Sequence, residues 1–202
     1  MIIIKTIGII LRDFKENNKQ FSGTRYDLFN FLFNYNVNVI GIPINNDFNK
    51  TKNIVDICDG IILSGGDTFV YQDFLLIDYL YKEDKPTLGI CLGMQSMAKY
   101  FSDKDEIDVK NHLSNDLYVH YIKIDKNSLL YKILKKDRIL VNSRHKSQII
   151  DTSLKISALS DDGVVEAVED SYKKFFVGVE WHPESLNDKN TKLLIDYFIS
   201  TL

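Results

Sequence analysis

Runs of apolar, β-branched residues alternate with amphipathic stretches through the first half of the chain. Ile2 to Leu11 reads as a strand covered on both faces, and RDFKENNKQFSG after it reads as a polar loop. Thr24 is placed to cap a helix whose apolar positions Tyr26, Phe29, Leu32 and Phe33 recur at helical spacing, and VNVIGIP follows as a second strand. Asn53 to Cys58 is ambiguous. Gly60 to Leu63 forms a buried strand that ends in Ser64-Gly65-Gly66-Asp67, Phe74 to Lys82 reads as a helix, and Thr87 to Ile90 as another strand. Strands and helices in alternation imply a parallel sheet with right-handed crossovers, and sites in such sheets lie at the carboxyl ends of the strands.

The second half carries shorter elements. Tyr118 to Ile124, Arg138 to Val141, Lys155 to Leu159, Val164 to Val168 and Phe175 to Val179 read as strands, with Asp162-Gly163 as a hairpin turn, and a helix from about Asn190 to Leu202 ends the sequence. With 202 residues, 45% of them hydrophobic, one globular domain over 1–202 is expected. The fold class read from this order is α/β: a parallel-core sheet flanked by helices.

Charge and composition narrow the partners. A net charge of -3 gives no general basic patch, which argues against nucleic acid or an anionic membrane and favours a small molecule. The apolar opening MIIIKTIGIIL is interrupted by Lys5 and followed by Arg12 and Asp13, so it reads as neither a membrane span nor a signal peptide. Two cysteines without CxxC spacing speak against both a disulfide framework and a zinc site, and point to the reducing cytoplasm.

The stretch PTLGICLGMQSMAKY, Pro86 to Tyr100, holds the candidate chemistry. A strand ends at Cys91 and a helix starts at once, with Gly89 and Gly93 flanking the cysteine as a sharp nucleophile elbow requires. The helix N-terminus beside the sulfur is expected to favour thiolate. Cys58 lacks these features and reads as a buried structural cysteine. Near the end, FFVGVE runs into Trp181-His182-Pro183-Glu184. Pro183 pushes His182 into an extended conformation, so Glu184, two residues on, falls on the same side and reaches the imidazole. Cys91, His182 and Glu184 thereby make a nucleophile, a base and a carboxylate that orients the base.

The motifs SGGD, GICLGMQ and GVEWHPES, in this order, resemble those of the class I glutamine amidotransferase superfamily, including its γ-glutamyl hydrolase branch (peptidase C26). The resemblance implies a flavodoxin-like α/β fold and a triad of Cys91 as nucleophile, His182 as general base and then acid, and Glu184 as orienter. The Leu92 N–H faces a carbonyl attacked by Cys91 and a glycine-rich turn offers a second donor; the resemblance selects Gly66. Gln95, one helical turn beyond Cys91, is implied to help hold the glutamyl group, and Gly65 to border the substrate.

RILVNSRHKSQII, DDGVVEAVED and FFVGVEWHPES are similar to segments of γ-glutamyl-γ-aminobutyrate hydrolases, although Leu92 stands where those enzymes often carry arginine. His145 falls on a histidine that recurs there and is expected at the pocket rim. Arg144, Lys146 and Arg25 would add positive charge suited to an anionic leaving group, a carboxylate or a nucleotide-linked phosphoramidate as in capsule biosynthesis. His112 and His120 read as packed or solvated strand-edge residues. The implied reaction is glutamate release through a γ-glutamyl thioester with no metal or organic cofactor. A separate glutaminase subunit feeding ammonia to a synthetase is the alternative, and a non-catalytic or redox-sensing relative a minor one; a homodimer is left open.

Overall fold

A computed structural model describes residues 4–202. In chain order the elements are β1 (Lys5–Glu16), β2 (Lys19–Gly23), α1 (Tyr26–Leu32), β3 (Val37–Pro43), α2 (Phe48–Asp56), β4 (Gly60–Leu63), α3 (Tyr71–Lys82), β5 (Thr87–Ile90), α4 (Leu92–Tyr100) and β6 (Ile107–Asp108). They continue as β7 (His120–Ile124), α5 (Leu129–Leu134), β8 (Arg138–Val141), β9 (Ser147–Gln148), β10 (Lys155–Ser160), β11 (Val165–Glu169), β12 (Phe176–Val179), α6 (Pro183–Leu186) and α7 (Lys189–Ser200). The order β3-β1-β4-β5-β12 forms a parallel core, and β11, β10, β7 and β8 extend it antiparallel.

Alternation along the core strands divides the interior into two layers. Ile7, Ile9, Ile62, Leu88 and Val177 pack with Leu28, Phe31 and Phe198 on one face; Ile10, Ile61, Leu63 and Phe176 pack with Leu76, Met94 and Met97 on the other. This is the α/β sheet flanked by helices that the residue pattern predicts.

Three expectations are corrected. The segment read as a polar loop is a hairpin: β1 runs on to Glu16 and pairs antiparallel with β2 through the two-residue turn Asn17-Asn18, whose φ angles are 49° and 61°. Its side chains are mostly exposed on both faces, so no burial pattern marks it. Helix α1 starts without a side-chain cap from Thr24, because Arg25 occupies the N-cap. Its buried face is Leu28, Phe31 and Leu32, whereas Tyr26 and Phe33 are 72% and 64% exposed. Ile2 and Ile3 lie outside the described residues. The ambiguous stretch before Cys58 belongs to α2, which starts at Phe48 behind an Asp47 cap.

Helix α4 sits unusually close to the sheet. A Cβ on Gly93 would stand 2.1 Å from the Leu63 carbonyl oxygen, and one on Gly89 2.5 Å from Met97 Sδ. Backbone cannot yield as a flexible side chain does, so Gly93→Ala must displace α4. Urea unfolding is expected to show a loss of at least about 2 kcal/mol, at the upper part of the range for overpacked cores.

Candidate active site

Four strand ends converge on one rim. β5 delivers Cys91, β4 delivers Ser64, Gly65 and Gly66, β12 leads through Glu180 to His182, and β1 carries Arg12 past its pairing with β4. Cys91 has φ 50° and ψ -111°, a conformation strained for a residue with a Cβ, and its carbonyl accepts the first helical hydrogen bond from Gln95 N–H at 2.9 Å. The strained turn lifts the sulfur toward the rim while α4 begins immediately behind it.

His182 Nδ1 and Glu184 Oε1 are 2.7 Å apart, both side chains being buried. The contact expected from the sequence is present, by a different route: Pro183 opens the short helix α6 and His182 is its N-cap, so Glu184 folds back by a helical turn rather than along an extended strand. Asn142 fixes the histidine backbone from both sides, donating to the His182 carbonyl and accepting from its N–H, each at 2.8 Å. Gly65 lies between His182 and Cys91; a Cβ there would be 3.0 Å from His182 Cε1 and 3.6 Å from Cys91 Cβ. That close approach is why glycine suits the position.

The Cys91 thiol differs electrostatically from the expectation. Burial pushes it well above the ordinary thiol value, and the carboxylates of Glu180, Glu184 and Asp67 act in the same direction, while the Leu92 N–H directed at the sulfur opposes them. Burial, with the neighbouring Glu166 charge, also pushes Glu180 well above the ordinary carboxylate value, while the hydrogen bond from Gln95 opposes that shift. Desolvation therefore outweighs the helix N-terminus, and the resting group is a thiol.

Two clefts meet at Cys91. The first, of about 480 Å³, is bordered by Arg25, Gly65, Gly66, Arg144, His182 and Glu184, with Arg12, Asp13 and Phe14 contributed by β1. The second, of about 450 Å³, is bordered by Leu92, Gln95, His145, Lys146 and Ser147, and shares Gly66, Asp67, Cys91 and Arg144 with the first. Every candidate residue named from the sequence thus borders one cleft or the other.

Their surroundings refine that placement. Arg25 pairs with Asp27 at 2.8 Å, Asp27 accepts from Ser185 Oγ at 3.3 Å, and Arg144 donates to Ser185 Oγ at 2.8 Å, so the two arginines are tied along one edge. Gln95 Nε2 donates to Ser147 O at 3.0 Å and to Glu180 Oε1 at 2.6 Å. His145 is not at an open rim: it is 4% exposed, and its Nδ1 lies 2.9 Å from Ser147 O. Burial lowers its tendency to protonate.

Sequence reasoning missed Arg12, which is buried, pairs through Nη1 with Asp73 and donates from Nε to Ser64 O at 3.3 Å. It also missed Asn142, Glu180 and the association of His112 and His120 with Glu166. A polar residue directly beyond each buried strand was the signal for the first three: Arg12 follows the apolar part of β1, Asn142 follows β8, and Glu180 follows β12.

The peptidase C26 family model matches residues 70–184. The glutamine amidotransferase-like protein of Rickettsia prowazekii is 25% identical, with 94% of each chain covered. GMP synthase [glutamine-hydrolyzing] of Debaryomyces hansenii is 31% identical over 69% of this chain but only 26% of its own length. Among solved structures, the glutaminase domain of Trypanosoma brucei CTPS with bound acivicin superposes with a TM-score of 0.72 at 16% identity, covering 98% of this chain and 93% of that one. Among the described residues no helix is long and apolar enough to cross a membrane. The chain belongs to the peptidase C26 family of class I glutamine amidotransferase-like enzymes, and is a C–N hydrolase of glutamine or glutamyl amides.

Proposed function

We propose that residues 1–202 act as one catalytic unit that hydrolyses the γ-glutamyl amide of a small, anionic γ-glutamyl conjugate. The observation that carries this reading is the junction at Cys91: a strained nucleophile turn beside a buried imidazole–carboxylate pair, with a cleft on each side. A γ-glutamyl amide has two arms to accommodate. The side bordered by Gln95 and Lys146 suits the glutamyl arm, and the side bordered by Arg25 and Arg144 suits a leaving amine that carries carboxylate or phosphate.

In this scheme His182 Nε2 takes the Cys91 proton as sulfur attacks the γ-carbonyl. Nδ1 is held by Glu184, which fixes the tautomer and stabilises the imidazolium. The Leu92 and Gly66 N–H groups receive the oxyanion. Collapse breaks the C–N bond, the leaving nitrogen takes the proton from His182, and a γ-glutamyl thioester remains. Water then attacks the thioester, gives a proton to His182, and releases glutamate with the thiol restored. Because the resting sulfur is a buried thiol, proton transfer to His182 is a required part of the first step, not a preliminary one.

A second reading, a glutaminase subunit delivering ammonia to a synthetase, is favoured by the similarity to the glutamine-hydrolysing part of GMP synthase and to the CTPS glutaminase domain. It differs in its leaving group, ammonia, which needs no cationic edge.

Glutamate release by purified protein separates the two. Glutamine and γ-glutamyl compounds bearing carboxylate or phosphate are compared, with Cys91→Ala as the inactive control. Preference for the anionic conjugates supports the hydrolase, whereas turnover of glutamine that needs an added synthetase supports the subunit. Arg25→Ala combined with Arg144→Ala is expected to raise KM for an anionic conjugate roughly tenfold, the loss of about one charge-assisted hydrogen bond, and to leave glutamine kinetics unchanged. Glu184→Gln is expected to lower kcat by about 10² or more with little effect on KM.

The raised thiol also fixes the sign of a pH effect. A thiol held above its ordinary value keeps its proton to higher pH, so alkylation of Cys91 by iodoacetamide in the free protein should be slow at neutral pH. It should still be accelerating as pH passes about 8.5, the ordinary thiol value. A rate already level below neutrality would reveal a preformed thiolate–imidazolium pair instead.

A further inference from the structure

Behind the second cleft, four residues far apart in sequence meet: His112 on the loop after β6, His120 at the start of β7, His145 before β9, and Glu166 on β11. His112, His145 and Glu166 are 2%, 4% and 1% exposed. Neither Glu166 oxygen, nor His120 Nε2, has a hydrogen-bond partner of acceptable geometry, although the two residues approach to 2.9 Å. A buried carboxylate is costly without positive charge beside it, and here that charge can come only from the surrounding imidazoles or from a cation among these atoms.

The tautomers define where the cation belongs. His112 Nε2 is 3.1 Å from Asp162 Oδ2, and His145 Nδ1 is 2.9 Å from Ser147 O and 3.2 Å from Glu180 Oε1. A proton on each of these outer nitrogens satisfies those acceptors and leaves His112 Nδ1 and His145 Nε2 as lone pairs, facing each other at 3.0 Å. Two lone pairs in contact repel unless something positive lies between them. Imidazoles whose outer N–H donates to a carboxylate or carbonyl are oriented as metal-binding histidines are.

The distances agree with that use. Metal–ligand bonds of about 2.0–2.1 Å in a tetrahedron put neighbouring ligand atoms about 3.3 Å apart. Glu166 Oε1 lies 2.9 Å from His120 Nε2, 3.5 Å from His112 Nδ1 and 3.9 Å from His145 Nε2. The donor atoms of His112, His120 and Glu166 all fall within 4.8 Å of one another. We propose that His112, His120 and Glu166, with His145 as the fourth ligand, bind one zinc-like divalent cation that is structural, standing apart from the chemistry at Cys91. Three imidazoles and one carboxylate favour zinc over the hard cations, which take all-oxygen sets. Four protein ligands leave no open position for substrate, and the half-exposed Asp162 beside His112 marks an entry path. The cysteine pattern held no trace of such a site because none of its ligands is cysteine and the four are scattered over 112–166.

The test uses the untagged full-length chain, loaded with zinc or cobalt(II) and desalted. Wild type should retain about one equivalent of zinc per chain and give the intense visible bands of tetrahedral cobalt. His120→Ala, at the better exposed end of the cluster, and the isosteric Glu166→Gln should each retain at least tenfold less metal while remaining folded by circular dichroism. Chelation should lower the wild-type Tm and leave that of Glu166→Gln unchanged. Failure of wild type to retain either metal, an octahedral cobalt spectrum, or equal retention by the variants overturns the proposal, and a buried proton then holds the cluster. These readouts do not involve amide hydrolysis, so they stand or fall independently of the reading of the Cys91 site.

Discussion

The approach of α4 to the sheet is the constraint on which the site depends. Gly89 and Gly178 on adjacent strands leave room for Met97 and Met94, and Gly93 lets the helix backbone rest against the Leu63 carbonyl. Cys91, the single residue between β5 and α4, has φ 50°. Such a backbone costs on the order of 1–3 kcal/mol. Complete burial of Met94, Met97 and Ala98 offsets it, at roughly 1.5–3 kcal/mol for each large side chain. Side-chain packing one turn into the helix thus stabilises the strained Cys91 at its start.

The same closeness determines the electrostatics. A helix that starts against a sheet rim brings its first N–H groups to the sulfur, but it also buries the sulfur, and burial wins. In the proposed mechanism the sulfur therefore needs a base beside it, and His182 fills that place. That places the demand on His182, and the surrounding structure meets it without sheet pairing at that residue: Asn142 clamps the backbone, Glu184 holds Nδ1, and Gly65 leaves room for the ring. Each comes from a different part of the chain.

Legibility in the sequence followed burial. β4 and β5 begin and end where their apolar runs predict, because strands covered on both faces leave an uninterrupted signal, and the edge strand β8 does so through its alternation of exposed and buried residues. The β1–β2 hairpin left none, since a two-stranded ribbon exposed on both sides has no face to mark; only Asn17-Asn18 could have disclosed it. In α1 the large side chains Tyr26 and Phe33 outweighed Leu28 and Phe31 in the spacing argument, yet the latter face the sheet. The pairing of His182 with Glu184 was legible because it is local, although its backbone is helical and not extended. The His112, His120, His145 and Glu166 cluster joins residues up to 54 positions apart, and its only local sign was histidine in otherwise ordinary strand-edge settings.

The two sides of the cleft junction differ in how they are supported. The Arg25–Arg144 edge is anchored on α1 and on α6, both packed against the core. The Gln95–Lys146 side is walled in part by the two-residue strands β6 and β9, paired with each other, and by the bridge of Leu113 to Arg144. Ladders so short contribute little on their own. Polar contacts tie this wall to the protein: Ser147 O accepts from Gln95, His112 lies against Glu166 of β11, and His145 lies against Glu180 just beyond β12. Ile149, directly after β9, adds apolar packing against the core to these buried polar contacts, which rigidify the wall when each is satisfied.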